Sequence, residues 1–277
     1  MRYAQLVMGP AGSGKSTYCK VMHEHCETMK RVVNVINIDP AAEEFSYPVL
    51  ADVRELIGID DVMEADDLKL GPNGGLVFCM EYLMKNLDWL FEQIGEGEED
   101  YYIIDCPGQI ELYSHLPVMR TLVDTLKSWE FNVCGVFIVD AQFLIDTAKY
   151  FSGAMAALSV MVQLEVPHLN IMSKMDLLDS QCIDAVNNYL NPDPGLLLND
   201  LNSSLPKKYF KLNKAIASVL DDYGLVSFLP LNISDEDSIN DILIYIDNAI
   251  QYGEDALPNE IPDDDDGENP DNEYANT

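Results

Sequence analysis

Apolar runs short enough to be strands alternate along this chain with stretches whose apolar positions recur at helical spacing. The strand-like runs are Tyr3 to Met8, Val32 to Ile38, Tyr101 to Asp105, Val133 to Asp140, Leu169 to Met172 and Val226 to Leu231. The longest helical pattern covers Leu76 to Ile94, and the most apolar one lies near Ala154 to Val166. Such alternation predicts an α/β fold, a mostly parallel sheet with helices on both faces. Ligands bind beyond the carboxyl ends of the strands in sheets of this kind. Polar motifs stand at those ends here, so the fold itself would bring them together.

The first strand-like run leads into Gly9-Pro10-Ala11-Gly12-Ser13-Gly14-Lys15-Ser16-Thr17, which fits G-x-x-x-x-G-K-[ST] and is followed by a helix-compatible run. Gly12 and Gly14 allow consecutive backbone N–H groups to turn inward around a phosphate. Lys15 would neutralise the β- and γ-phosphates, Ser16 would bind Mg²⁺, and the helix would add its positive N-terminal end. A plain strand-to-helix turn is the competing reading, and the spacing with both flanks weighs against it. The architecture expected is therefore a P-loop NTPase.

The second run ends in Asp39-Pro40-Ala41-Ala42. An Asp at that end can hold Mg²⁺ through water or orient an attacking water, although Asp-Pro is also an ordinary turn. Asp52, Arg54 and Glu55 follow in an irregular stretch that fits a mobile switch. Gly71-Pro72-Asn73-Gly74-Gly75 reads locally as a type II turn placed to start the helix over Leu76 to Ile94. Tyr101 to Ile104 delivers Asp105-Cys106-Pro107-Gly108-Gln109-Ile110-Glu111, a buried-strand Asp three residues before a Gly. That spacing suits a carboxylate in the Mg²⁺ shell, a Gly N–H near the γ-phosphate, and Gln109 and Glu111 as water-positioning groups.

Leu169 to Met172 opens into Ser173-Lys174-Met175-Asp176, which matches the guanine-reading N-K-x-D pattern except at its first residue. Asp176 would accept hydrogen bonds from the ring N–H and amino group of guanine, with the Lys174 stem along the base. A neutral hydrogen bond lost at Ser173 costs about 0.5–1.5 kcal/mol, against about 1.5–3 for each bond to a carboxylate, so Asp176 should still decide the base. The turn after Asn232 is expected near the base, with no single contacting residue marked out.

Charge changes this picture in one respect. With 277 residues and 48% apolar content there is material for one large domain, 1–253, but the net charge is −32 and repels a polyphosphate backbone, so nucleic acid is not expected as a direct partner. From Glu254 onward come ten acidic residues and no Lys or Arg, read as a disordered solvating tail over 254–277; the rest still carries −22. Lys207, Lys208, Lys211 and Lys214 cluster in a helical insertion at about 177–223, where a solvated face is the ordinary reading. Six cysteines without a C-x-x-C pair signal neither a zinc site nor a disulfide framework and fit reduced thiols of the cytosol or nucleus. No membrane association is expected: the start in a strand leaves no room for a secretory leader, and the most apolar helix is too short to span a bilayer.

Together these residues resemble the GPN-loop GTPases from Met1 to about Tyr252. Gly9 to Thr17, Asp39 to Ala42, Gly71 to Asn73, Asp105 to Glu111 and Ser173 to Asp176 occur in that family's order and approximate spacing. The resemblance implies Mg²⁺-dependent hydrolysis of GTP to GDP. It also implies a dimer, with itself or with a sibling GPN-loop protein, in which Gly71-Pro72-Asn73 crosses the interface and Asn73 faces the partner's γ-phosphate region. It further implies work on RNA polymerase II subunits, in assembly and nuclear import, and so a cytoplasmic protein that shuttles to the nucleus. Three other readings share the phosphate loop, one of them an ATPase of the related dimeric class, whose extra Lys early in the loop is missing at Pro10-Ala11. A small-molecule kinase would want an Arg-bearing lid, which four scattered arginines supply poorly; a nucleotide-bound interaction platform with negligible hydrolysis would need nearly the same residues.

Overall fold

The structure, a computed structural model, describes residues 1–65, 69–95, 97, 100–144, 146–179, 186, 190, 194–222 and 226–254. Seven strands form one sheet in the order β3-β2-β4-β1-β5-β6-β7, and every paired neighbour is parallel. They are β1 (Arg2–Met8), β2 (Asn34–Asn37), β3 (Ala51–Asp52), β4 (Tyr101–Asp105), β5 (Phe131–Asp140), β6 (His168–Ser173) and β7 (Phe228–Pro230). Each expected strand is present within a few residues. β3 was not expected, because two residues carry no periodicity that a sequence can show.

β1 is central and buried throughout. Ala4, Leu6 and Met8 enter one apolar layer and Tyr3 and Val7 the other, so both faces must be apolar and the strand reads as a continuous run. On one face lie α1 (Lys15–Thr28) and, from the far end of the chain, the helix Glu236–Ile250. On the other lie α3 (Pro72–Lys85), α6 (Val118–Ser128) and α8 (Thr147–Leu164). The shorter helices are α2 (Ile59–Met63), α4 (Leu87–Ile94), α5 (Glu111–Ser114) and α7 (Ala141–Leu144). The predicted helix over Leu76 to Ile94 is thus two helices, and it begins earlier. Asn86, at φ −126° and ψ 38°, breaks the run while its side-chain amide donates to the Tyr82 carbonyl at 2.7 Å.

The type II turn expected at Gly71-Pro72-Asn73-Gly74 is also corrected. Gly75 N–H donates to the Gly71 carbonyl at 2.8 Å, a helical bond, and Pro72 occupies the first turn, where its missing N–H costs nothing. Within the insertion, α9 (Pro194–Ser204) and α10 (Phe210–Asp222) follow β6, and α11 (Glu236–Ile250) follows β7; much of 180–193 lies outside the described residues. Lys207, Lys208, Lys211 and Lys214 are exposed. The expected acidic tail beyond Glu254 also lies outside the described residues. Among those described, no helix is long and apolar enough to cross a membrane.

The chain is fastened where α11 ends. The Arg31 guanidinium makes two bonds to the Asp247 carboxylate, at 2.6 and 2.9 Å. It also sits 4.2 Å from the Tyr101 ring centre and 3.6 Å from that of Tyr252. This clamp lies at the amino ends of the strands, opposite the polar motifs.

Candidate functional site

The register lines up the motifs. Asp105 pairs with both Val7 and Asn37, and Asp140 with Ser173, so the segments leaving β1, β2, β4, β5 and β6 emerge along one edge. Gly9 leaves β1 at φ 145°, and a Cβ there would lie 2.2 Å from the Ile138 carbonyl of β5. The loop can pass only without a side chain. Gly12 and Gly14 take φ of 75° and 93°, which turns the backbone as the motif requires. Gly14 caps α1 with no side-chain hydrogen bond and no acidic residue in the first turn, which leaves the helix's positive end to an anion. Lys15 is buried, with its ammonium 3.4 Å from the Pro10 carbonyl; Ser16 and Thr17 are exposed beside it.

Asp105 sits at the inner wall. One carboxylate oxygen, Oδ2, accepts both the Ser16 hydroxyl at 2.8 Å and the Tyr47 hydroxyl at 2.7 Å. Burial raises the Asp105 carboxyl above its ordinary value despite those two donors and Lys15. Burial raises Asp39 as well, against the Ala41 N–H, Lys15 and Arg54. A buried carboxylate, Asp105, and a half-buried one, Asp39, both feel the Lys15 ammonium and form a donor set that a divalent cation would satisfy. Among the described residues no group of three or more His, Cys, Asp or Glu side chains could hold a metal ion.

Asp39 is positioned by Asn37, whose amide accepts the Asp39 N–H at 3.0 Å and donates to Asp52 at 2.9 Å. The stretch that fitted a mobile switch is built more firmly than expected. Asp52 opens a 3₁₀ turn, Val53–Glu55, and ion-pairs with Arg54 at 2.6 Å; Arg54 also donates to the carbonyls of Ala42 and Glu43 at 2.9 and 2.7 Å. Burial would raise the Asp52 carboxyl, but Arg54 and Asn37 outweigh it and hold it low.

A cleft of about 620 Å³ joins the phosphate side of the site. Lys15, Asp39, Asn73, Gly108, Gln109 and Glu111 line it. Gly108 faces the phosphate loop so closely that a Cβ would come 2.9 Å from Ala11 Cα. Gln109 keeps its carbonyl oxygen buried and unpartnered, Glu111 is exposed at the start of α5, and Asn73 is exposed in the first turn of α3, with Gly71 and Pro72 beside it. Asn73 therefore borders the cleft of its own chain.

On the other side of the loop, Ser173 is not waiting for a base. Its buried hydroxyl lies 2.6 Å from the Ser13 carbonyl, tying β6 to the phosphate loop. Lys174, in the left-handed region at φ 60°, bonds the Gly12 carbonyl and Asp140, each at 2.7 Å. Asp176 follows with one carboxylate oxygen, Oδ1, buried and unpartnered. The turn after β7 packs alongside, through Met175 N–H to the Leu231 carbonyl at 3.3 Å, and Asn232 bonds its own turn at Ser234 N–H. Sequence reasoning missed Tyr47, Asn37 and Asp140. Asn37 carried a weak signal, as one of two Asn in the strand run Val32 to Ile38, and Asp140 another, as an Asp at the carboxyl end of its run; Tyr47 carried none.

A glycine loop around a helix start, a buried Asp on the next strand and an acceptor aimed past the loop define a P-loop nucleotide-binding protein. A family model described as "Conserved hypothetical ATP binding protein" matches residues 7–252. The chain is 60% identical over 255 residues to GPN-loop GTPase 3 of Danio rerio, covering 92% of this chain and 90% of the relative. It is 53% identical over 262 residues to the Dictyostelium discoideum protein of that name, covering 94% and 91%. The crystal structure of a GTPase in apo form from Pyrococcus abyssi shares the fold, with a TM-score of 0.73 at 22% identity, over 89% of this chain and 97% of that one. This chain belongs to the GPN-loop GTPase family.

Proposed function

We propose that this protein binds GTP with Mg²⁺, hydrolyses it to GDP and phosphate, and works as a dimeric switch. The observation that carries the choice of base is the buried, unpartnered Asp176 oxygen, which suits guanine's ring N–H and 2-amino group, where adenine has an acceptor nitrogen and a C–H. The phosphates would lie in the loop from Gly12 to Thr17, with Lys15 against the β- and γ-phosphates. Ser16, Asp105 and Asp39 would hold Mg²⁺, which would neutralise the charge that builds on the transferred phosphoryl group. Gln109 and Glu111, which line the cleft, would orient the attacking water. Asn73 offers an uncharged donor where other phosphoryl-transfer enzymes use arginine.

The resemblance extends the proposal to partners. The chain pairs with itself or with a sibling GPN-loop protein, Gly71-Pro72-Asn73 lies at that contact, and the clients are RNA polymerase II subunits on their way to the nucleus. The experiment is phosphate release with GTP or ATP and Mg²⁺, alone and with a sibling protein, beside Lys15→Ala, Asn73→Ala and Asp176→Asn. The expected outcome is GTP-selective release, abolished by the Lys15 change and reduced by the Asn73 change, with the preference over ATP lost in Asp176→Asn. Tight GTP binding without release would replace the enzyme with an interaction platform. An unchanged base preference would sink the role given to Asp176.

A further inference from the structure

Tyr47 belongs to none of the motifs, yet it is buried at 7% exposure and its hydroxyl donates to Asp105. The acceptor is Oδ2, the oxygen already bonded by Ser16. A carboxylate with two O–H donors on one oxygen is held against rotation, and its other oxygen takes no part in those two bonds. Tyr47 is itself backed by residues outside the phosphate loop. The Phe45 ring lies 5.4 Å from the Tyr47 ring, the Arg54 guanidinium lies 4.5 Å from the Phe45 ring centre, and Arg54 is fastened to Asp52. Asp52 in turn meets Asn37, the residue that sets Asp39. One continuous set of contacts therefore links both acidic residues of the site through the segment 41–54.

We infer that Tyr47 is a positioning residue for the metal-facing carboxylate: its hydroxyl aims Asp105 and couples the packing of segment 41–50 to occupancy by metal and nucleotide. The inference rests on the proposed Mg²⁺-dependent use of guanine nucleotide. Tyr47→Phe removes the hydroxyl and keeps the ring between Phe45 and the core. Asp105 then loses one donor to a charged oxygen, and the cost falls on the metal-dependent part of binding.

The test follows release of a fluorescent GDP analogue from the full chain, wild type and Tyr47→Phe, across free Mg²⁺ concentrations and in EDTA. Release in EDTA is expected to match within about twofold, while the Mg²⁺ concentration that halves the release rate rises about tenfold in the variant. Hydrogen exchange over 41–50 is expected to slow on adding Mg²⁺ and GDP to the wild type, and not in Tyr47→Phe. A merely structural role would lower the melting temperature and speed release equally with and without Mg²⁺, which would overturn the inference. An unchanged Mg²⁺ dependence in Tyr47→Phe would overturn it too, with the nucleotide reading intact. A wild type whose GDP release ignores Mg²⁺ would remove the reading underneath, and the inference with it.

Discussion

Ser173 stands where the guanine-reading pattern has Asn, and its hydroxyl bonds the Ser13 carbonyl from a buried position. Its task is to hold the base-side turn against the phosphate loop. Ser173→Ala leaves that carbonyl without its donor, at a cost of about 1–3 kcal/mol. Urea denaturation should show the loss, and GDP affinity should weaken several-fold while GTP remains preferred over ATP, since Asp176 is untouched. Lys15, Asp105 and Asp176 were legible because their spacing to glycines and strand ends is local. Tyr47 was not: it meets Asp105 across 58 positions, and nothing near it in sequence says which carboxylate it will find.

Elements show the same division between local and distant causes. The strand ends were readable from apolar runs, and the phosphate loop from its glycines. The break at Asn86 was hidden because apolar residues continue at helical spacing on both sides, so periodicity joins two helices that the backbone separates. Asp52 and Arg54 looked like a loop because a two-residue edge strand and a 3₁₀ turn leave no pattern; their order comes from Asn37 and the carbonyls of Ala42 and Glu43. At Gly108 two elements nearly touch. Gly108→Ala would drive a Cβ to 2.9 Å from Ala11 Cα, and a backbone atom cannot swing aside as a side chain can. Displacement of the phosphate loop by about 1 Å should lower turnover by about a hundredfold. Single-turnover hydrolysis beside GDP binding would show the loss mainly in the chemical step.

For the molecule as a whole, acid should be felt at the start of β6. Burial lowers the His168 pKa to about 4 from an ordinary 6.5, against the neighbouring Asn170 side chain, which works to raise it. The unfolded chain takes up that proton before the folded one does. The stability His168 contributes is therefore intact above pH 6.5 and is lost as the pH falls toward 4, by on the order of 3 kcal/mol. His168→Phe should lose correspondingly less stability over that interval, measured by denaturation at a series of pH values. The Arg31 clamp has a consequence at this same scale. Tyr252 is held against Tyr3 and Tyr101, at the amino ends of β1 and β4, about 20 Å of strand away from the phosphate loop. At physiological salt that is more than two screening lengths, about 8 Å each. Glu254, where the acidic sequence begins, thus lies near the pole opposite the phosphate loop, and a charge there is screened from Lys15.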